Sequence, residues 1–395
     1  MKSFDEVNET MLHRCVMRIR PRTAPGIDGI TRDEFRCSNG CSILARELHE
    51  GTYRPQPARR GWLPKHDGSL RPIAIPTIRD RVVQRAVAAH LSNHYDGSFS
   101  EASFGFRPKR NANQAVRRVM RSIATMRAPV VVEFDIVKCF DRLRHEDILG
   151  RLVADGIDPR VIQLVEQFLT VRVESEHAAS SVVGVPQGGP LSPMMANLVL
   201  DRALDEWFPR AAAADGWGDT TLARYADDFV AVVEGATVSN RVRRAVGERL
   251  SQFGLDVHPK KTGTVVMRPS LPGRPGGRFD FLGWRIGFEE HAHGRRLVRR
   301  TSYKTMRRSL QRAARSMRGR RWAAKTPSER LDWFHAVRRG HRAYFGIPDN
   351  EPQVRHFEAE FERLFDRAVR RARPVGAAVP YHGTSRANPC ARTTG

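Results

Sequence analysis

Acid is what this 395-residue chain is short of: 43 Asp and Glu stand against 67 Lys and Arg, a net charge of +24. So large a deficit points to a polyanionic partner, nucleic acid before any other. A basic amphipathic helix with an aromatic apolar face, which an acidic membrane surface would need, is also missing. Cysteine is scarce. The five thiols, Cys15, Cys37, Cys41, Cys139 and Cys390, are odd in number and scattered, which excludes a secreted disulfide framework. Cys37 and Cys41 have the spacing of half a zinc site, but no second Cys/His pair follows. Long apolar runs are absent as well. The longest uncharged stretch, Ala178 to Leu200, is broken by Pro186, Pro190, Pro193 and three glycines, so it cannot span a bilayer. The start, Met1 to Glu6, has acids where a signal peptide is basic and then apolar. The expectation is a soluble, globular protein of two or three domains.

What is present falls into ordered segments. Residues 1 to about 50 read as helical pieces around a turn-rich loop, Thr23 to Gly29, whose glycines let the backbone approach a partner. Trp62 to Lys65 and Leu70 to Pro76 flank the turn His66-Asp67-Gly68-Ser69, a predicted hairpin carrying Lys65 and Arg71. Two such cations suit a triphosphate, or are simply solvated. Helical spacing follows over Arg79 to Ser92 and over Asn113 to Met126, the latter with Arg117, Arg118 and Arg121 on its exposed side. Val130 to Ile136 is a β-branched run predicting a central strand that ends in Asp135. Asp141 reads as a helix-start residue, and Ile157 to Leu169 as a further helix.

Gly184 to Pro193 is a loop in which Gln187 offers a donor and an acceptor. Ser192 is placed to cap the following helix and Pro193 to enter its first turn. Apolar periodicity then continues to Trp207. Leu222 to Ala226 and Phe229 to Val233 predict a hairpin with Asp227 and Asp228 at its tip. Asn240 to Phe253 reads as a helix, Gly254 to Thr262 as a turn into a strand, and Phe279 to Ile286 as another strand. Twelve Lys and Arg and no acid lie between His291 and Ala323, a one-signed run that repels itself without a polyanion. Helical spacing resumes over Ser328 to Phe345 and Val354 to Arg373, and residues 374–395 read as a flexible tail.

Asp227 and Asp228 alone are compatible with an ordinary turn. Together with Asp135 they make three carboxylates, enough to hold two divalent ions about 3.5–4 Å apart for phosphoryl transfer. At this point the sequence resembles the reverse transcriptases, and specifically the bacterial group II intron-encoded and intron-like branch. The blocks that carry the resemblance are Gly26-Ile27-Asp28-Gly29, Pro64-Lys65 with Leu70 to Pro76, Arg79 to Gln84, and Ser103 to Pro108. They continue with Phe134-Asp135-Ile136 and Cys139-Phe140-Asp141, Pro186 to Pro193, Tyr225-Ala226-Asp227-Asp228, Lys261-Thr262, and Phe281-Leu282-Gly283.

The resemblance implies an α+β right-hand polymerase: fingers, a palm of antiparallel sheet with helices, and an all-helical thumb. It divides the chain into an N-terminal extension with fingers over 1–128 and a palm over 129–290, with a fingers segment near 155–190. A basic, maturase-like thumb would cover 291–373. Asp135, Asp227 and Asp228 would be catalytic metal ligands for two Mg2+, or Mn2+, helped by the Ile136 carbonyl. Lys261, or its neighbour Lys260, would serve the pyrophosphate leaving group. Lys65, Arg71, Phe140 and Gln187 would bind the nucleotide, Phe140 as a steric gate against ribose. Phe281, Leu282 and Gly283 would form a strand gripping the primer, with Arg299, Arg300, Arg307 and Arg308 on template and primer. The implied reaction is RNA-templated DNA synthesis from dNTPs on a DNA or RNA primer, with a structured intron or other non-coding RNA as template, in the bacterial cytoplasm and its nucleoid or ribonucleoprotein. An enzyme reused in phage defence or repair, and a splicing maturase whose polymerase site is secondary, stand beside that reading. The chain ends soon after the thumb, which puts an intron endonuclease in doubt.

Overall fold

The structure, a computed structural model, describes residues 4–64, 69–174, 183–268, 276–291 and 294–372. Among the described residues there are nine strands: β1 Arg59–Pro64, β2 Leu70–Ile75, β3 Pro129–Asp135, β4 Thr220–Tyr225, β5 Asp228–Glu234, β6 Gly263–Val266, β7 Arg278–Phe281, β8 Trp284–His291 and β9 Gly294–Thr301. The chain divides after Arg299 into two compact units.

The first unit is built on an antiparallel sheet in the order β4-β5-β3-β6. β3 is interior because Val130, Val131 and Val132 need cover on both faces, and all three are buried. Cross-strand partners share a face, so Phe134, Val132 and Val130 align with Phe229, Ala231 and Val233. That face enters the main core, where the Phe134 and Phe229 rings stack at 4.8 Å. Each contributes about 2 kcal/mol by burial. The alternate residues Asp135, Glu133, Asp228 and Tyr225 lie on the opposite face. β1 and β2 form a separate hairpin, and β7-β8-β9 a three-stranded sheet.

Helix Ser192–Leu200 runs into the helix Trp207–Ala214 through a π-turn, Asp201–Asp205, marked by the hydrogen bond from Glu206 N to Asp201 O at 2.8 Å. The second unit contains the helices Tyr303–Ser316, Pro327–Phe345 and Glu351–Arg371. Their amphipathic faces bury Met306, Phe334, Phe357, Phe361 and Phe365, with the Phe334 and Phe361 rings stacked at 5.0 Å. No helix among the described residues is long and apolar enough to cross a membrane.

Several expectations need correction. Residues 294–301 are a strand, so the helical unit starts later than 291 and Arg299 and Arg300 lie on β9. Asp141 starts no long helix. It sits in the short turn Cys139–Arg142, and extended backbone at Leu143 separates it from the helix His145–Ala154. Ser192 does not cap its helix, because its hydroxyl donates to the Pro186 carbonyl at 2.6 Å. Arg118 turns inward, its Nε donating to the Leu222 carbonyl at 3.0 Å. Leu282 and Gly283 are not strand residues: both have positive φ, 49° and 85°, as a two-residue type I′ hairpin turn between β7 and β8 requires. Lys65, the turn residues His66 to Gly68 and the expected tail lie outside the described residues.

Candidate active site

Register builds the site. Tyr225 pairs with Asp228 across β4 and β5, and Asp228 pairs with Asp135 across β5 and β3. Paired residues share a face, so Tyr225, Asp228 and Asp135 form one row across three strand ends. Ala226 and Asp227 are the two turn residues, Ala226 carrying the positive φ of 59°. The two-residue tip is therefore shifted by one position from the expected Asp227-Asp228, with Asp228 already the first residue of β5.

Like charges crowd this row. Surrounding protein and the neighbouring acids Asp227, Asp135 and Glu133 push the Asp228 carboxyl up to about 7, although the residue as a whole is exposed. Burial also raises Asp227, against the pull of Arg71. Among the described residues no three His, Cys, Asp or Glu side chains form a ready-made metal cage. A Mg2+ ion does not require one, since it is held through one or two carboxylates plus substrate phosphates. An all-oxygen donor set of carboxylates, open to solvent at Asp228, fits that ion.

Behind the turn lies a buried polar network. Arg224, on the opposite face from Tyr225, is fully buried. Its Nε donates to both Asp205 oxygens at 2.9 Å, and Nη2 to Ser103 Oγ at 2.9 Å as well as to Asp205. Nη1 donates to Asn197 Oδ1 at 2.8 Å and to the Ala226 carbonyl at 3.0 Å, one residue before Asp227. Eight residues of unbroken α-helix would set Asn197 and Asp205 about 80° apart around the axis. The extra residue of the π-turn reduces that to about 20°, so both reach one guanidinium. The 102–105 segment runs alongside, Arg224 N donating to Ala102 O at 2.8 Å and Phe104 N to Arg224 O at 2.9 Å. A Cβ on Gly105 would lie 2.4 Å from Ala226 N, so only glycine lets the segment close on the turn.

Other predicted residues converge from neighbouring segments. Past its end, β3 is held by Val137 N donating to Asp256 O at 2.9 Å and His258 N to Asp135 O at 2.7 Å. This brings Lys261 Nζ to 3.3 Å from Asp135 Oδ2. Arg71 is exposed on β2, near enough to act on Asp227. The 184–189 loop is fastened by Val185 N to Phe140 O at 2.7 Å and Ala74 N to Gln187 O at 2.7 Å. Gln187 Nε2 donates to Asp141 Oδ1 at 3.0 Å, which gives Asp141 its use, and Phe140 is half-buried beside it. A Cβ on Gly188 would meet Ala74 O at 2.4 Å.

The structure does not bring every candidate together. Arg299 is buried, its guanidinium 4.7 Å from the Trp284 ring and Nη1 3.3 Å from Asn113 Oδ1, so it presents no cation to a surface. Phe281 is buried at the end of β7. Arg307 and Arg308 are exposed on Tyr303–Ser316, in the second unit. Sequence reasoning missed Ser103, Asn197, Asp205 and Arg224 as one network. The available signal was a charge in each of two apolar runs, Arg224 within the hairpin and Asp205 within the helix.

A family model described as reverse transcriptase (RNA-dependent DNA polymerase) matches residues 63–286. The chain is 34% identical over 244 residues to Protein YkfC of Escherichia coli (strain K12), covering 53% of this chain and 64% of that protein. It is 36% identical over 159 residues to Group II intron-encoded protein LtrA of Lactococcus lactis subsp. cremoris, covering 40% of this chain and 26% of that one. The chain thus spans under two thirds of either relative. Among solved structures, telomerase from Candida albicans in complex with a fragment of telomeric RNA aligns with a TM-score of 0.48 and 13% identity, over 82% of this chain and 62% of that one.

Proposed function

Since the chain belongs to the reverse transcriptase family, on its group II intron-like branch, whose members use divalent metal ions, we propose that it is an RNA-directed DNA polymerase extending a primer on an RNA template with dNTPs. The observation that carries this reading is the pairing of Asp135 with Asp228 across β3 and β5, with Asp227 in the turn immediately before Asp228. In the proposed scheme these residues and the Ile136 carbonyl hold two Mg2+ ions, whose chemistry is to activate the 3′-hydroxyl and neutralise triphosphate charge.

Arg71 clamps the triphosphate as a bidentate fork. Gln187, fixed by Asp141, lies against the nucleotide sugar, and Phe140 fills the space a 2′-hydroxyl would need. The primer 3′-oxygen bonds to the α-phosphorus as the bond to the bridging oxygen breaks. The hydroxyl proton passes to solvent, and Lys261 donates a proton to the departing pyrophosphate. The exposed arginines of the second unit, Arg307 and Arg308 among them, engage RNA phosphates. The units would correspond to fingers with palm, and thumb.

The test is the double variant Asp227→Asn with Asp228→Asn. Extension of a DNA primer on RNA should fall below detection, while RNA affinity and the unfolding transition stay close to wild type. Undiminished extension would falsify the assignment.

A further inference from the structure

Phe106 has a conformation that its own packing does not explain. It is a bulky residue at φ 57°, a region such side chains rarely adopt, yet it is 59% exposed. Both neighbours hold it there. Gly105 is locked against the catalytic turn, with Asn197 Nδ2 donating to its carbonyl at 2.9 Å. Arg107, buried, donates from Nε to Asp96 Oδ1 at 2.9 Å and from Nη2 to Asp96 O at 2.6 Å. Its Nη1 donates to Ser100 O at 2.6 Å and Ser103 O at 3.1 Å. A strained residue fixed from both sides and turned outward marks a working position.

The ring's surroundings say what it meets. It lies 6.2 Å from the Tyr225 ring, tilted by 40°, and Tyr225 heads the row that continues to Asp228 and Asp135. Strands are about 4.8 Å apart, so Tyr225 stands one strand width from Asp228 and two from Asp135, with Phe106 beside it. Successive nucleotides of one strand are spaced about 3.4 Å apart. An aromatic platform without a cation of its own, beside acids, repels phosphate and suits the face of a base or sugar.

We propose that Phe106, backed by Tyr225, is the platform for the primer's terminal nucleotide. This rests on the polymerase reading and adds a substrate contact to it.

The experiment compares wild type, Phe106→Gly and Phe106→Trp for binding of a dideoxy-terminated DNA primer on an RNA template, by fluorescence anisotropy without dNTP. Loss of one base stack predicts about 10-fold weaker binding for Phe106→Gly, with Phe106→Trp close to wild type. Because glycine accepts positive φ, Phe106→Gly should melt no lower than wild type. An abasic 3′ end should weaken binding to wild type but add little to Phe106→Gly, since both remove the same contact.

Unchanged primer affinity in Phe106→Gly, or penalties that multiply, would overturn the platform. So would a lower melting temperature accompanying the lost affinity, which marks ordinary packing. A raised KM for dNTP with unaltered primer binding would assign the ring to the incoming nucleotide instead and equally overturn it. If wild type extended primers while Phe106→Gly bound them normally, the platform alone would fall. If wild type did not extend primers at all, the polymerase reading would fall first.

Discussion

Every guanidinium nitrogen of Arg224 has a partner, and the partners come from three separate segments: Ser103, Asn197 with Asp205, and Ala226. Removing one side of a buried ion pair strands the other charge, so Arg224→Met should destabilise the protein by about 3–5 kcal/mol in chemical denaturation. Pairing it with Asp205→Leu should recover much of that loss. Phe140 acts by bulk, not charge. Phe140→Ala should lower discrimination against ribonucleotides by about 10-fold or more, measured as the ratio of kcat/KM for dNTP and rNTP. At this scale the sequence showed the acids well, because Asp135, Asp227 and Asp228 interrupt apolar runs. It showed their supports poorly. Nothing local in Arg224 or Ser103 says that they meet, since the 120 residues between them must fold before the contact exists.

Strands and helices were legible where one pattern ruled. The Val130 to Asp135 run and the Asp227-Asp228 hairpin came through as β3, β4 and β5 because β-branched residues fill both faces of an interior strand. β9 did not, because its arginines hid the strand: Val298 and Thr301 are buried, and Arg299 packs on Trp284 as an apolar residue would. Helix Pro327–Phe345 carries its own buried test. His341 stacks on Phe357 at 3.6 Å, and neither ring nitrogen has a hydrogen-bond partner among the described residues. Burial pushes its pKa down from 6.5 to about 4, despite the attraction of Glu358. The neutral ring is the one that packs, so its contribution is complete above the unfolded pKa and drains away as pH falls toward 4. The second unit should lose up to about 3 kcal/mol across that window. His341→Phe should flatten the dependence, as read by urea denaturation between pH 7 and pH 4.

For the molecule as a whole, charge is the dominant fact. A net +24 predicts RNA binding driven largely by counterion release. The dissociation constant should rise roughly 100-fold between about 50 and 200 mM salt. A flat salt response would mean that the arginines of the second unit, Arg307 and Arg308 included, do not meet phosphate. Composition foretold this partner class without foretelling where the charge sits, because net charge carries no positional information. The division after Arg299 was obscured for a related reason: the basic run crosses it, so composition does not change at the boundary.

The π-turn at Asp201–Asp205 makes the winding of that segment matter as well as its spelling. Deleting one residue there would let the helix close into a regular α-helical turn, continuous and well bonded, and so leave no scar in its own geometry. The same deletion would leave Asp205 facing Arg224, since seven residues of regular helix also end about 20° from Asn197; closing the π-turn with every residue kept would instead swing Asp205 about 100° away. The damage would appear a helix away, as a loosened catalytic turn. With Asp205 held to Arg224 at its end, the helix works as a ruler, with the π-turn as its calibration mark.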